Sequence, residues 1–95
     1  MLALMQASME KSIYTDEYAV FLNLLREIRE GGNITQVQLA EIIGQSQSFV
    51  SKIEIGERRL DLIQLRTICR SLGTTLPEFV SKLEERLGKK ERRKR

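Results

Sequence analysis

This sequence predicts a compact all-α protein, a bundle of five short helices. Apolar residues recur at intervals of three and four along five successive stretches, and no stretch alternates with the period of two that marks a strand. The stretches open on Ser, Thr or Asp and close on Gly or Asn. Those are the residues that cap helix N-termini and that adopt the left-handed conformation beyond helix C-termini.

The first helix starts from Thr15 or Asp16 as N-cap, and Tyr18, Phe21, Leu22, Leu25 and Ile28 form its apolar stripe. Gly31, Gly32 and Asn33 end it. Thr35 with Gln38 makes a capping box, in which the Thr hydroxyl accepts from the backbone N–H at N3 and the Gln side chain reaches back to the cap residue. The second helix then turns Val37, Leu39, Ala40 and Ile43 inward. Gly44 stops it, Gln45 bridges, and Ser46 caps a third helix with Phe49, Val50 and Ile53 on its apolar side. Gly56 and the polar run Glu57, Arg58, Arg59 make a loop before Asp61 caps the fourth helix, whose Leu62, Leu65, Ile68, Cys69 and Leu72 keep helical spacing. Gly73 closes that helix, and Thr75 with Glu78 repeats the capping box around Pro77, whose missing N–H is no loss in a first turn. The fifth helix carries Leu76, Phe79, Val80, Leu83 and Leu87 toward the core or toward a partner.

Composition narrows the function from the other side. With 41% hydrophobic and 31% charged residues in 95, the chain describes one small domain with an adequate core. There is no histidine and one cysteine, so the usual zinc, catalytic-triad and neutral-pH acid–base arrangements lack an essential residue. No enzyme and no cofactor are expected. Cys69 reads as a small core residue. The opening MLALMQASM has no basic leader and falls far short of the roughly 20 residues needed to span a bilayer, so no membrane partner and a cytoplasmic location are expected. Residues 1–14 show no cap or sustained period and are expected to form a flexible N-terminal arm. Leu2, Leu4 and Met5 offer the alternative of an apolar arm packed on a partner subunit. The net charge of +3 sits largely at the other end, where residues 88–95 read as a basic tail. Lys89, Lys90, Arg92, Arg93, Lys94 and Arg95 against Glu91 carry +5, leaving −2 for residues 1–87. That tail is either solvated or a non-specific phosphate contact.

One constellation carries the function. Counting from Gln36, a small residue stands fifth (Ala40), glycine ninth (Gly44), and branched aliphatics fifteenth and eighteenth (Val50, Ile53). Ala40 lets two helices cross closely, Gly44 supplies a turn conformation that side chains resist, and Val50 and Ile53 seal the angle between the helices. Such a geometry projects the second of the two helices outward, where its N-terminal residues can enter a DNA major groove.

At these residues the sequence resembles the DNA-binding domain of the Cro and phage-repressor (XRE-type) helix-turn-helix family. The resemblance spans about residues 18 to 87: LREIRE before the motif, TQVQLAEIIG as its first helix, SQSFVSKIEIGERRL as recognition helix and loop, DLIQLRTICRSLG as the fourth helix and TLPEF opening the fifth. It implies a lambda-repressor-like bundle with residues 15–87 as the DNA-binding domain. Asn33 departs from the glycine usual at the end of the first helix, and Asn is the next-best left-handed residue. By the same resemblance Gln47, Ser48 and Lys52 meet base edges, Ser51 reaches base or backbone, and Gln36 holds a phosphate at a helix N-terminus. Their chemistry agrees, since Gln matches adenine N6 and N7, Lys matches guanine O6 and N7, and Ser matches either. Arg29 and Glu54 match a family ion pair; an exposed pair would be worth only about 0 to 1 kcal/mol, which makes it an orienting contact. Arg58 and Arg59 are candidates for phosphates or a solvated loop, and Phe49 for a thymine methyl, the sugar backbone or the core.

The expected function is a sequence-specific transcriptional regulator, a repressor that binds a two-half-site operator on double-stranded DNA as a homodimer. Leu60, Ile63, Leu83 and Leu87 are candidates for its apolar interface. The alternative is an antitoxin, whose main partner is a toxin protein and which autoregulates its own operator. The −2 of residues 1–87 is the best support for a third class, a helical adaptor that kept the fold without DNA binding.

Overall fold

Five α-helices and no strand make up the described residues of the computed structural model, which covers residues 15–94 and their side chains as far as Arg92. They are α1 (Asp16–Gly31), α2 (Gln36–Ile43), α3 (Gln47–Glu54), α4 (Leu62–Ser71) and α5 (Leu76–Lys94). The arm expected over residues 1–14 lies outside the described residues.

Local chemistry sets the boundaries. Thr15, Thr35, Ser46 and Asp61 each cap a helix, their side chains accepting from the N–H of Tyr18, Gln38, Phe49 and Gln64. The Thr35–Gln38 box is complete, and Asp61 forms a second with Gln64. At α5 the box is only half made: Thr75 accepts from the Glu78 N–H at 3.3 Å, but the Glu78 carboxylate accepts from the Thr75 hydroxyl. Beyond α1 the left-handed position is taken by Asn33 (φ 58°), not by either glycine before it. Gly44 takes it between α2 and α3 (φ 70°), where the Gln45 N–H returns to the Ala40 carbonyl at 2.8 Å.

The core joins all five helices through Leu24, Leu25, Leu39, Ala40, Val50, Ile53, Leu65, Ile68, Cys69 and Phe79. α2 packs on α3 and α4, α1 on α3 and α5, and α4 on α5. Three apolar assignments change. Val37 is 52% exposed, because it stands roughly 100° or more around α2 from the stripe centred on Leu39, Ala40 and Ile43. Leu62, the first residue of α4, is 62% exposed and opens onto a groove between α1, α4 and α5. Leu24 is fully buried although it lay outside the stripe assigned to the first helix.

The basic end continues the last helix. α5 runs through Gly88 to Lys94 despite a cost of about 1 kcal/mol for an interior glycine. Lys89 pairs with Glu85 at 3.3 Å and Lys90 with Asp16 at 3.5 Å, tying that end back to the start of α1. Arg95 lies outside the described residues.

Candidate nucleic-acid interface

Three residues, Gly44, Gln45 and Ser46, separate α2 from α3, and the two helices meet around Leu39, Ala40, Val50 and Ile53. This leaves α3 with one buried side, Val50, Ile53 and Glu54, and one outer side. Gln47, Ser48 and Lys52 are exposed on that outer side and Ser51 is half-buried beside them. The pairs 47 and 51, and 48 and 52, stand one helical turn apart, so the four form a single strip.

Gln36, at the start of α2, is joined to this strip. Its Nε2 donates to Glu54 Oε1 at 2.9 Å, and its Oε1 accepts from Gln47 Nε2 at 2.8 Å. The residue expected to hold a phosphate therefore also braces a base-reading candidate, with one Nε2 hydrogen left to give.

The Arg29–Glu54 pair is present but buried, with each residue 7% exposed. Arg29 Nε and Nη2 donate to the two carboxylate oxygens at 2.6 and 3.0 Å, and Nη1 donates to the Ile34 carbonyl at 2.7 Å. The exposed-pair energy therefore does not apply; a buried pair is expensive to break because one partner is left desolvated. Burial alone would raise the Glu54 carboxyl, yet hydrogen bonds from Arg29 and Gln36 and the charges of Arg29 and Arg26 hold it below its ordinary value of 4.5. The hydrogen bond to Glu54 raises Arg29 further, against its burial. Arg26, half-exposed with its Nε 3.4 Å from Glu54 Oε1, was missed in the sequence. Its spacing of three from Arg29 on one helix was the available signal.

Both loop arginines are exposed. Arg58 lies 4.7 Å over the half-buried Phe49 ring, close to α3. Burial pushes the Tyr18 phenol up and the charge of Arg59 pulls it partly back. Phe49 is thus packed against the core and beneath Arg58. Ile55, 58% exposed at the end of α3, is an apolar neighbour of the strip that the sequence did not single out.

A helix-turn-helix family model matches residues 25–79 of the chain. A solved structure described as an XRE-family like protein from Pseudomonas syringae pv. tomato str. DC3000 is 45% identical, with a TM-score of 0.73, covering 82% of this chain and 95% of its own. This chain belongs to the XRE-type helix-turn-helix family. The chain is also similar to the control protein C.MunI from Mycoplasma sp, 35% identical over 66 residues, which is 68% of this chain and 89% of that protein. The control protein C.SmaI from Serratia marcescens is 28% identical over 69 residues, 73% of this chain and 82% of that one. The match at 25–79 includes α2, the turn and α3 in full. Among the described residues no helix is long and apolar enough to cross a membrane.

Proposed function

We propose that this XRE-type DNA-binding regulator represses transcription by occupying a two-half-site operator as a homodimer, with α3 as the recognition helix. The observation that carries the reading is the strip of Gln47, Ser48, Ser51 and Lys52 on the outer side of a helix whose inner side is locked by Val50, Ile53 and Glu54. Gln36 and Arg58 flank the strip as phosphate contacts, with Arg59 beside Arg58 in the same loop. The likeness to two control proteins supports a regulatory role.

A single reading helix offers little area, which favours pairing, with half-sites about 34 to 36 Å apart. Apolar surface for a partner is available: Leu60 and Leu83 line the open groove of about 380 Å³ with Tyr18, Phe21 and Leu62, while Ile63 is 70% exposed. Leu87 remains half-buried on α5. Sedimentation at micromolar concentration should give a dimer; a monomer that binds one half-site by itself removes that part.

Selection from random duplex DNA should return an inverted repeat. Replacing Gln47 and Lys52 together by alanine should leave helicity and thermal unfolding unchanged while abolishing preference among sequences, since each good bidentate contact discriminates by about 1 to 3 kcal/mol. Failure to enrich any sequence at low salt sinks the proposal.

A further inference from the structure

The loop after α3 folds back on the helix it leaves. Gly56 turns the chain with φ 82°, and the next two N–H groups, of Glu57 and Arg58, both donate to the Lys52 carbonyl, at 2.9 and 3.1 Å. The Arg58 side chain returns to α3 as well, its guanidinium carbon 4.7 Å from the centre of the Phe49 ring. Phe49 is itself held, its N–H donating to the Ser46 hydroxyl at 3.1 Å and its half-buried ring packed against the core. Among the described residues Arg58 forms no ion pair. The kind of holder matters to an incoming anion. A carboxylate would hold the guanidinium by cancelling its charge and occupying its N–H donors, and a phosphate would then have to displace it. A ring holds the same group through its π face and leaves the charge uncancelled.

We propose that Phe49 is a positioning residue for Arg58: its ring holds the guanidinium beside the outer strip of α3, charge intact, for one phosphate of the DNA backbone, and itself reads no base. The inference rests on the phosphate role of Arg58 proposed above. Both anchors, the Lys52 carbonyl and the Phe49 ring, belong to α3, so Arg58 keeps its place relative to Ser48, Ser51 and Lys52. A phosphate contact carries no sequence information of its own, but it sets the register in which neighbouring base contacts are made. The gain lies in ordering avoided. An arginine free in solution must be immobilised on binding, whereas one already resting on a ring has given up part of that freedom beforehand. The strength of an exposed cation–ring contact limits the gain to about two- to fivefold in affinity.

The test uses the full chain and the duplex it selects, with affinity measured against salt and each base pair of a half-site varied singly. Phe49→Leu removes the ring and keeps an apolar side chain against the core, and Arg58→Gln removes the charge. Arg58→Gln should bind every sequence less well and lower the slope of log K against log salt by about 0.9, the share of one phosphate. Phe49→Leu should weaken binding by about two- to fivefold, equally at every base pair and with the slope kept, because Arg58 still reaches its phosphate but from an unordered start. Phe49→Tyr should restore the affinity. In an Arg58→Gln background Phe49→Leu should cost nothing more, since the ring then has no charge to hold. A Phe49→Leu loss confined to one base pair, or one that adds fully to that of Arg58→Gln, overturns the proposal and leaves Phe49 to a base or to the core. An unaltered salt slope in Arg58→Gln overturns it by removing the phosphate. Should thermal unfolding show Phe49→Leu to be poorly folded, Phe49→Met takes its place in the same cycle. A wild-type chain that selects no sequence overturns the DNA reading and the positioning role with it. Selection by wild type with unaltered affinity in Phe49→Leu overturns the positioning role alone.

Discussion

Replacing Glu54 by alanine should destabilise the protein by about 3 to 5 kcal/mol, a cost set by the unpaired charge left in the interior rather than by the worth of the ion pair itself. The Arg29 side chain is 9% exposed, and without Glu54 it keeps only the Ile34 carbonyl at 2.7 Å and the Glu30 carboxylate at 4.0 Å. Removing Arg29 instead leaves Glu54 with Gln36 and with the half-exposed Arg26, so Arg29→Met should cost less than Glu54→Ala. Joint replacement by Met and Leu should recover much of the loss, since no charge then remains buried unpaired. Against a total of about 5 to 15 kcal/mol, the single change takes a large share, and urea unfolding at neutral pH measures it directly. A loss under about 1 kcal/mol would place the pair in effect at the surface. The pH dependence follows from the same atoms. Because the folded carboxyl lies below its ordinary 4.5, its contribution is complete above that value and is lost as pH falls through the depressed folded value. Glu54→Gln should therefore flatten the acid limb of the stability curve and leave the slope at neutral pH alone.

The second large effect belongs to Phe79. Fully buried, it meets the Phe21 ring edge-on at 5.7 Å and 80°, an apolar tie between α5 and α1. Phe79→Ala should cost about 3 to 5 kcal/mol through the cavity it leaves. The ion pair between Arg86 and Glu27 joins the same two helices at 2.7 Å, but both side chains are 40% exposed or more. Such a pair contributes at most about 1 kcal/mol and cannot hold α5 in place of the ring. Thermal unfolding should show the midpoint falling by roughly 12 °C or more, at 4 to 8 °C per kcal/mol for a domain of this size. A fall of about 4 °C or less would mean that the neighbouring side chains close the cavity.

What could be read in the sequence was what neighbouring residues decide among themselves. Thr35 with Gln38, Ser46, Asp61 and the left-handed Gly44 settle their helix ends within four residues, and all stand where local chemistry put them. Spacing identified apolar stripes but not their width or reach, so Val37 was turned inward and Leu24 overlooked. The continuation of α5 past Gly88 is not legible because Gly88 and a run of like charge look like a stop, whereas Lys90 finds Asp16 from across the bundle. The site divides in the same way. Resemblance alone aligned Gln47, Ser48, Ser51 and Lys52, and the fold does gather them on one outer strip. That Glu54 is buried, that Gln36 spans from it to Gln47, and that Arg58 lies over Phe49 depend on how the helices pack together. No local pattern encodes them.

Cys69 lies in the middle of this core with no exposed surface, and burial raises its thiol above the ordinary 9.0. A thiol in that position meets an alkylating reagent only when the surrounding helices part, and even then reacts only as thiolate. The rate at which the native chain consumes such a reagent is therefore a clock for opening of the bundle, already wired into the protein. Run beside Glu54→Ala and Phe79→Ala, it separates a variant that opens often from one that is merely altered at its surface, with no engineered label and in the presence or absence of DNA.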